Sequence, residues 1–320
     1  MNNFSQCPCL WILIPCFNEE EVLPECISLL TAKLKGMING GICDKESRIL
    51  FVDDGSRDKT WELLESAHNG SDMICAMKLS RNRGHQNALM AGLMTAKDFC
   101  DCAVSMDCDL QDDIDALDKF VAEYKNGCDV VYGVRNSREN DSTFKRSTAH
   151  FFYKLMNFMG AETVYNHADY RLMSRRALEA LADYKEVNLF LRGIVPLIGF
   201  KSTSVEYSRG KRFAGKSKYP LRKMLSFAFE GITSFSIKPI KFISALGLII
   251  SFLSIAGLLY ALISKFTGNA TPGWTAIVAS IWLIGGIQLF CLGIIGQYVG
   301  KIYTEVKARP KYNVDIFLKK

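Results

Sequence analysis

Apolar runs alternate with helical patterns over residues 10–135. Leu10–Pro15 is short and wholly apolar, the signature of a buried strand. Further strands are predicted at Arg48–Asp53, Met73–Leu79, Cys102–Met106 and Asp129–Val134. Between them Asp58–Ala67, Gln86–Ala96 and Ile114–Lys125 read as helices. Asn18, with Glu21 three residues on, has the spacing of a capping box that would open a first helix. Such alternation predicts an α/β domain with a mostly parallel sheet and helices on both faces. Ligands bind such sheets beyond the C-terminal strand ends. The polar motifs fall there: PCFNE after the first strand, DDGS after the second and DCDLQDD after the fourth.

The second half of the chain has a different pattern. Phe242–Ser264 and Trp274–Val299 carry no charge, and each exceeds the roughly 20 residues that cross a bilayer core. Soluble helices rarely run so long without a charge. The connector KFTGNATPG is short and marked by Gly and Pro, so a two-helix transmembrane hairpin is predicted. Arg222, Lys223, Lys238 and Lys241 precede it, and Lys301, Lys307, Arg309 and Lys311 follow. The positive-inside rule then puts both flanks in the cytoplasm. Tyr260, Trp274 and Tyr298 are candidate interfacial anchors. Leu221–Ile237 mixes apolar residues with Arg222, Lys223 and Glu230 and reads as an amphipathic interfacial helix, and Val299–Val306 is a candidate for another. The spans hold no ionisable residue, which suits an anchor better than a transport path. The predicted organisation is a cytosolic domain over residues 1–220, a juxtamembrane helix over 221–241, two spans within 242–299 and a basic cytosolic tail over 300–320.

Charge sharpens this picture. The net charge is +6, yet residues 1–200 carry 22 basic and 29 acidic side chains, while residues 201–241 carry 10 and 2. An acidic domain, a basic collar and an uncharged stretch fit a protein seated on a membrane, and they argue against a nucleic-acid partner. With 49% hydrophobic and 22% charged residues the chain is neither disordered nor fibrous. The eleven Cys residues are scattered and form no CxxC pair, so they read as reduced thiols of a cytosolic domain and not as a zinc site or a disulfide framework. The N-terminus shows no signal-peptide pattern.

No GxGxxG follows the first strand, and the single GxxxxGK[ST] spacing, GKRFAGKS at residues 210–217, stands in the basic stretch and not after the first strand, so dinucleotide and P-loop chemistry are unsupported in the alternating region. Carboxylates are the remaining ligand-holding candidates. Alternation points Asp107 and Asp109 to the same side of a strand end. Two neighbouring carboxylates repel unless a cation or proton joins them, and a hard divalent ion would bridge them to a diphosphate. Gln111 adds a neutral oxygen. The bland alternative is a solvated strand end. Asp53 and Asp54 suit hydrogen bonding to nucleoside groups, or else an Asx turn with Gly55 and Ser56. His85 and His167 read as local hydrogen-bonding residues, and Phe151, Phe152, Tyr153 and Phe158 as helix packing.

Taken in order, PCFNEE, VDDGSRDKT, RNRGHQNAL, MDCDLQDD, DVVYGVR, HADYRLMSR and RFAGKSKYPL resemble the family 2 glycosyltransferases of the GT-A (Rossmann-like) fold. The nearest subgroup is the polyprenyl-phosphate glycosyltransferases, which are dolichol-phosphate mannose synthase-like, and within it the bacterial bactoprenol glucosyltransferases with a two-helix C-terminal anchor. The likeness runs through the tail GQYVGKIYTEVKARPKY. One departure is Cys108 between the aspartates, where Ala or Gly is more usual. Cys16 and Phe17 are milder variations.

The resemblance implies roles. Pro15, Phe17, Asn18 and Glu19 would line the nucleobase and ribose pocket with Asp53 and Asp54. Asp107 would contact the nucleotide sugar directly or through the metal, and Asp109 and Gln111 would ligate Mg²⁺ or Mn²⁺. Arg135 and Arg146 would receive the acceptor phosphate, and Arg212, Ser217 and Lys218 would close over the donor and acceptor phosphates. Asp169 would orient or deprotonate the nucleophile, or pair with Arg171 or Arg175. The implied reaction is inverting transfer of one sugar, UDP-glucose being the leading donor, to undecaprenyl phosphate at the bacterial inner membrane. The partners are then the nucleotide sugar, the lipid phosphate, the membrane and, as in tetrameric relatives, further copies of the chain. A lipid phosphate is already anionic, so the larger tasks are relieving anion repulsion and stabilising the leaving diphosphate. A processive transferase is the alternative enzyme, but the QxxRW motif and multi-helix channel of that class are missing from the sequence. A non-catalytic scaffold or flippase subunit would leave the carboxylates idle.

Overall fold

The computed structural model describes residues 7–135, 167–187, 191–208, 210, 238–267 and 273–320. The first five strands are β1 (Leu10–Cys16), β2 (Arg48–Asp53), β3 (Ile74–Leu79), β4 (Cys102–Ser105) and β5 (Val130–Arg135). They lie within a residue or two of the sequence expectation. Three more follow: β6 (His167–Ser174), β7 (Ser202–Tyr207) and β8 (Val314–Leu318). The eight form one sheet in the order β7-β5-β6-β4-β1-β2-β3-β8. The pairs β3–β2, β2–β1, β1–β4 and β5–β7 are parallel, whereas β6 runs antiparallel to β4 and β5, and β8 antiparallel to β3. The domain is therefore α/β with a mostly parallel mixed sheet.

The helices around the sheet are α1 (Leu23–Asn39), α2 (Thr60–Gly70), α3 (His85–Ala96), α4 (Ala116–Lys125), α5 (Arg175–Ala182) and α6 (Leu191–Leu197). Alternation along β1 decides which face each one covers. Leu10, Ile12 and Ile14 join a core with Leu23, Leu30 and Leu34 of α1 and Leu117 and Phe120 of α4. The remaining positions of β1 turn to the other face, where α3 lies against β1 and β2. Each fully buried Leu or Ile contributes roughly 1.5–3 kcal/mol, so both layers hold the strand ends firmly.

The first helix starts later than the capping-box spacing predicts. It begins at Leu23 with Val22 in the cap position and Pro24 in its first turn, and no side chain caps it. Proline's fixed φ suits a helix start. Asn18 instead takes a left-handed φ of 54°, and its carboxamide is used by another loop.

The chain divides into two compact units. One comprises Met1–Tyr153, Glu162–Tyr219 and Ala308–Lys320; the other comprises Lys154–Ala161 and Pro220–Lys307. In the second unit α7 (Lys238–Phe266) contains the segment Phe242–Ser264, and α8 (Trp274–Lys307) runs unbroken through Val299–Val306. Among the described residues one helical stretch, Leu283–Lys307, is long and apolar enough to cross a membrane. The amphipathic helix expected at Leu221–Ile237 lies outside the described residues, as does the aromatic cluster Phe151, Phe152, Tyr153 and Phe158.

Candidate active site

The site is built where parallel strands end. Pro15 is tolerated near the end of a central strand because the register of β1 with β4 stops at Leu13–Ser105. The chain then turns through Phe17, 42% exposed, and Asn18. Five hydrogen bonds lace this turn to the loop after β2. The Asn18 N–H donates to Ser56 Oγ at 2.9 Å and the Arg57 N–H donates to Asn18 Oδ1 at 2.9 Å. The Glu19 N–H donates to Thr60 Oγ1, the Glu20 N–H to Asp58 Oδ2, and the Lys59 N–H to Glu20 Oε2. A left-handed φ at a non-glycine residue costs about 1–2 kcal/mol, and this lacing offsets it at Asn18.

Asp53 and Asp54 are both buried. Asp53 Oδ1 accepts the Ser56 N–H at 3.1 Å, the Asx turn anticipated from DDGS. Its Oδ2 is buried without a hydrogen-bond partner. Burial raises the Asp53 carboxyl above its ordinary value, and the Ser56 hydrogen bonds only partly offset that. Asp54 accepts the N–H groups of Arg83 at 2.7 Å and Gly84 at 2.8 Å, which fixes the start of α3. Gly55 is required here: a Cβ would lie 2.7 Å from the backbone of Arg81 and Asn82.

That start of α3 presents His85. Its Nε2 lies 3.6 Å from Asp107 Oδ1 and 4.0 Å from Asp169 Oδ2. Withdrawal from water pushes the Asp107 carboxyl up to about 6; His85 opposes this, while Asp112, Asp169 and Asp109 add to it. Over a third of the Asp107 side-chain surface remains accessible, so the group can meet a ligand. Asp109 Oδ1 accepts the Gln111 N–H at 3.2 Å across Leu110, whose φ is 54°. Cys108 is buried in the core cluster that also holds Cys16 and Cys26, and the Cys16 thiol donates to the Ile14 carbonyl at 3.5 Å. The residue that departs from the family pattern is thus a packing group.

Among the described residues no three His, Cys, Asp or Glu side chains form a ready-made metal cage. The donor set nonetheless fits a nucleotide-linked cation. Mg²⁺ sites of that kind use one or two carboxylates plus substrate phosphate oxygens, and Asp107 sits in a field of carboxylates that a cation would relieve.

Asp169 is buried in a cationic pocket. Arg171 Nη2 donates to its Oδ1 at 2.7 Å, Arg192 donates through Nε at 3.2 Å and Nη2 at 3.0 Å, and Gln86 Nε2 reaches it at 3.5 Å. Burial alone would raise this carboxyl, but Arg192 and Arg171 outweigh it and hold the group well below the usual range. The sequence anticipated Arg171 or Arg175 as partner. Arg175 instead bonds the Cys100 carbonyl and lies 3.5 Å from Asp101. Arg135, at the end of β5, donates from Nε to the Tyr207 hydroxyl at 3.2 Å, and its Nη2 lies 3.8 Å from Asp112. Arg146, Arg212, Ser217 and Lys218 lie outside the described residues, whereas His167 opens β6.

The structure thus gathers Asp107 and Asp169 around His85, and laces Asn18 and Glu19 to the DDGS loop. Arg192, Tyr207 and Asp112 were not singled out in the sequence. Asp112 stood inside DCDLQDD, and the alternation of Val205 and Tyr207 in STSVEY was the available signal for the tyrosine.

Known proteins agree with this architecture. The family described as Glycosyl transferase family 2 matches residues 11–182. A Bacillus subtilis (strain 168) protein named uncharacterized glycosyltransferase YkoT is 53% identical over 311 residues, 97% of this chain and 92% of that one. The SfII prophage-derived bactoprenol glucosyl transferase of Shigella flexneri is 35% identical over 305 residues, 94% of this chain and 96% of that one. The prophage bactoprenol glucosyl transferase homolog of Escherichia coli (strain K12) matches at the same 35% over 305 residues, with the same shares of 94% and 96%. With its family motifs standing at the strand ends of a GT-A sheet, the chain belongs to glycosyltransferase family 2.

Proposed function

We propose that the protein transfers one sugar, with inversion, from a nucleoside diphosphate sugar to a polyprenyl phosphate at the cytoplasmic face of a bacterial inner membrane. UDP-glucose and undecaprenyl phosphate are the substrates to try first, given the names of the bactoprenol relatives. The observation that carries the reading is the convergence of Asp107, His85, Asp169 and Arg192 beyond the strand ends, beside the DDGS loop.

In this reading an acceptor phosphate oxygen attacks the anomeric carbon while the bond to the donor diphosphate breaks, and the nucleoside diphosphate leaves. The attacking oxygen is already ionised, so no proton need be removed. Asp169 suits orientation better than proton abstraction, because a carboxylate held low by two guanidiniums is a weak base. Pro15, Phe17, Asn18, Glu19, Asp53 and Asp54 are assigned to the nucleoside. Asp107, Asp109 and Gln111 would hold Mg²⁺ or Mn²⁺, which when bound supplies charge neutralisation for the leaving diphosphate. Arg135, Arg146, Arg212, Ser217 and Lys218 are assigned to phosphates, for which a guanidinium fork is well shaped.

Residues 1–220 are the catalytic part in this proposal, residues 221–241 lie in the interface, and α7 and α8 are paired spans with cytoplasmic flanks and a cytoplasmic tail. The approach of α7 to α8 within one unit supports the pairing. Assembly into tetramers is implied by the resemblance of the anchor alone.

The test is a panel of radiolabelled nucleotide sugars incubated with membranes, undecaprenyl phosphate and Mn²⁺ or Mg²⁺. Label from UDP-glucose should enter the organic phase, chelation should stop it, and Asp109→Ala should lower the rate by about 100-fold or more, the scale of losing one transition-state charge contact. Undiminished transfer by Asp109→Ala in chelator would defeat the metal assignment. Label confined to a water-soluble glycan would defeat the lipid acceptor.

A further inference from the structure

The loop that carries the acidic motif is held from outside by the end of β7. Leu110 stands in a left-handed conformation, φ 54°, between Asp109 and Gln111. A branched side chain keeps such a conformation only where its surroundings over-determine it. Two ties do so. The Tyr207 hydroxyl donates to Asp112 Oδ1 at 2.6 Å, and the Gly210 N–H donates to the Gln111 carbonyl at 2.8 Å. Both flank the turn on its C-terminal side, within three residues of Asp109.

Tyr207 is itself held. Its hydroxyl accepts from Arg135 Nε at 3.2 Å, and its ring packs edge-on against Tyr170, with centroids 5.2 Å apart. Tyr170 in turn donates to the Asp113 carbonyl at 2.9 Å. The ring lies where β5 has glycine: a Cβ at Gly133 would come within 3.0 Å of Tyr207 Cε1 and 2.9 Å of the Tyr170 carbonyl. The phenol is buried at 2% exposure, and burial together with Asp112 keeps it protonated and donating.

We propose that Tyr207 and Asp112 form a positioning strut that holds the Asp109–Leu110–Gln111 turn in the shape that receives the donor-bound cation. Neither side chain needs to touch substrate. This rests on the metal reading of Asp109 and Gln111, so the experiment separates the two.

Full-length protein in detergent is used as wild type, Tyr207→Phe, Asp112→Asn and the double variant. Free Mn²⁺ is followed by its electron paramagnetic resonance signal in the presence of UDP, and amide exchange is measured in metal-free protein over residues 107–113. The phenylalanine keeps the ring and its packing, so the protein should still fold, with a melting temperature lowered by no more than the loss of one donor to the buried Asp112 carboxylate. Mn²⁺ should bind about five- to tenfold more weakly, as expected when one charged hydrogen bond that orders a ligand is lost. The 107–113 amides should exchange faster, and the double variant should be no worse than either single one. UDP affinity without metal should not change. Unaltered exchange and unaltered Mn²⁺ affinity in Tyr207→Phe overturn the strut, and so do additive losses in the double variant. If Tyr207→Phe folds poorly, Asp112→Asn decides by the same two readouts. A wild type that binds no Mn²⁺ with UDP defeats the metal reading itself, while the exchange arm still decides whether the strut holds the turn.

Discussion

Asp169 cannot be neutralised cheaply. Its partner Arg171 is 1% exposed, and Arg192, Gln86 and His85 also lie against the carboxylate. Asp169→Asn leaves that guanidinium buried without its counter-charge, which costs about 3–5 kcal/mol in comparable pairs; denaturant unfolding at pH 7 measures it. The sign with pH follows from the depressed carboxyl. A folded-state value below the unfolded one, near 4, gives stability that is complete above that pH and lost as pH falls toward the folded value. The gap between wild type and variant should therefore narrow below about pH 4, and a gap unchanged between pH 7 and roughly pH 3 would count against the pairing. At this scale the sequence showed the carboxylates as a polar group beyond a strand, although β4 stops at Ser105, so Asp107 and Asp109 stand in the loop and turn after it and not on an alternating strand end. It did not show their partners. Arg192 and Tyr207 reach the site through tertiary packing, 23 residues from Asp169 and 95 from Asp112, and no local spacing encodes that.

Strands β1 to β5 were legible because each is an apolar run buried on both faces. β6 was not, since HADYRLMS carries His, Asp and Arg where an interior strand usually has aliphatics. It is stable there because Asp169 and Arg171, two apart on one side, neutralise each other. β8 was hidden for a different reason: VDIFL is five residues long and sits in a basic tail. The structure uses it to cover the outer edge of β3, where Ala76 pairs with Leu318 and Lys78 with Ile316. Lys320 also reaches Asp72 at 3.1 Å. Ending the chain at residue 312 should lower the thermal midpoint by about 4–8 °C, from a loss of roughly 2 kcal/mol at 2–4 °C per kcal/mol. It should also promote aggregation through the uncovered edge. Thermal melting with light scattering reads both, and an unchanged midpoint would show that the strand adds nothing.

For the whole molecule the deciding contrast is between charge and greasiness. Attraction of a basic collar to anionic lipid is screened when the Debye length falls to about 3 Å near 1 M salt. A helix long and apolar enough to cross a bilayer, as Leu283–Lys307 is, would hold to the membrane regardless of salt. Washing membranes in roughly 1 M salt and then in alkaline carbonate should leave the protein in the pellet, and detergent should release it. Recovery in the salt wash would reduce the helix to a surface contact.

The two border strands of the sheet, β7 and β8, are separated by 106 residues that include both long helices. On the ribosome this imposes an order of events. The nascent sheet emerges first and must wait, at ordinary synthesis rates of 5–20 residues per second, for about 5–20 s before its last strand exists. Synthesis of both long helices therefore precedes completion of the sheet, and β3 is the edge left uncovered in the interval.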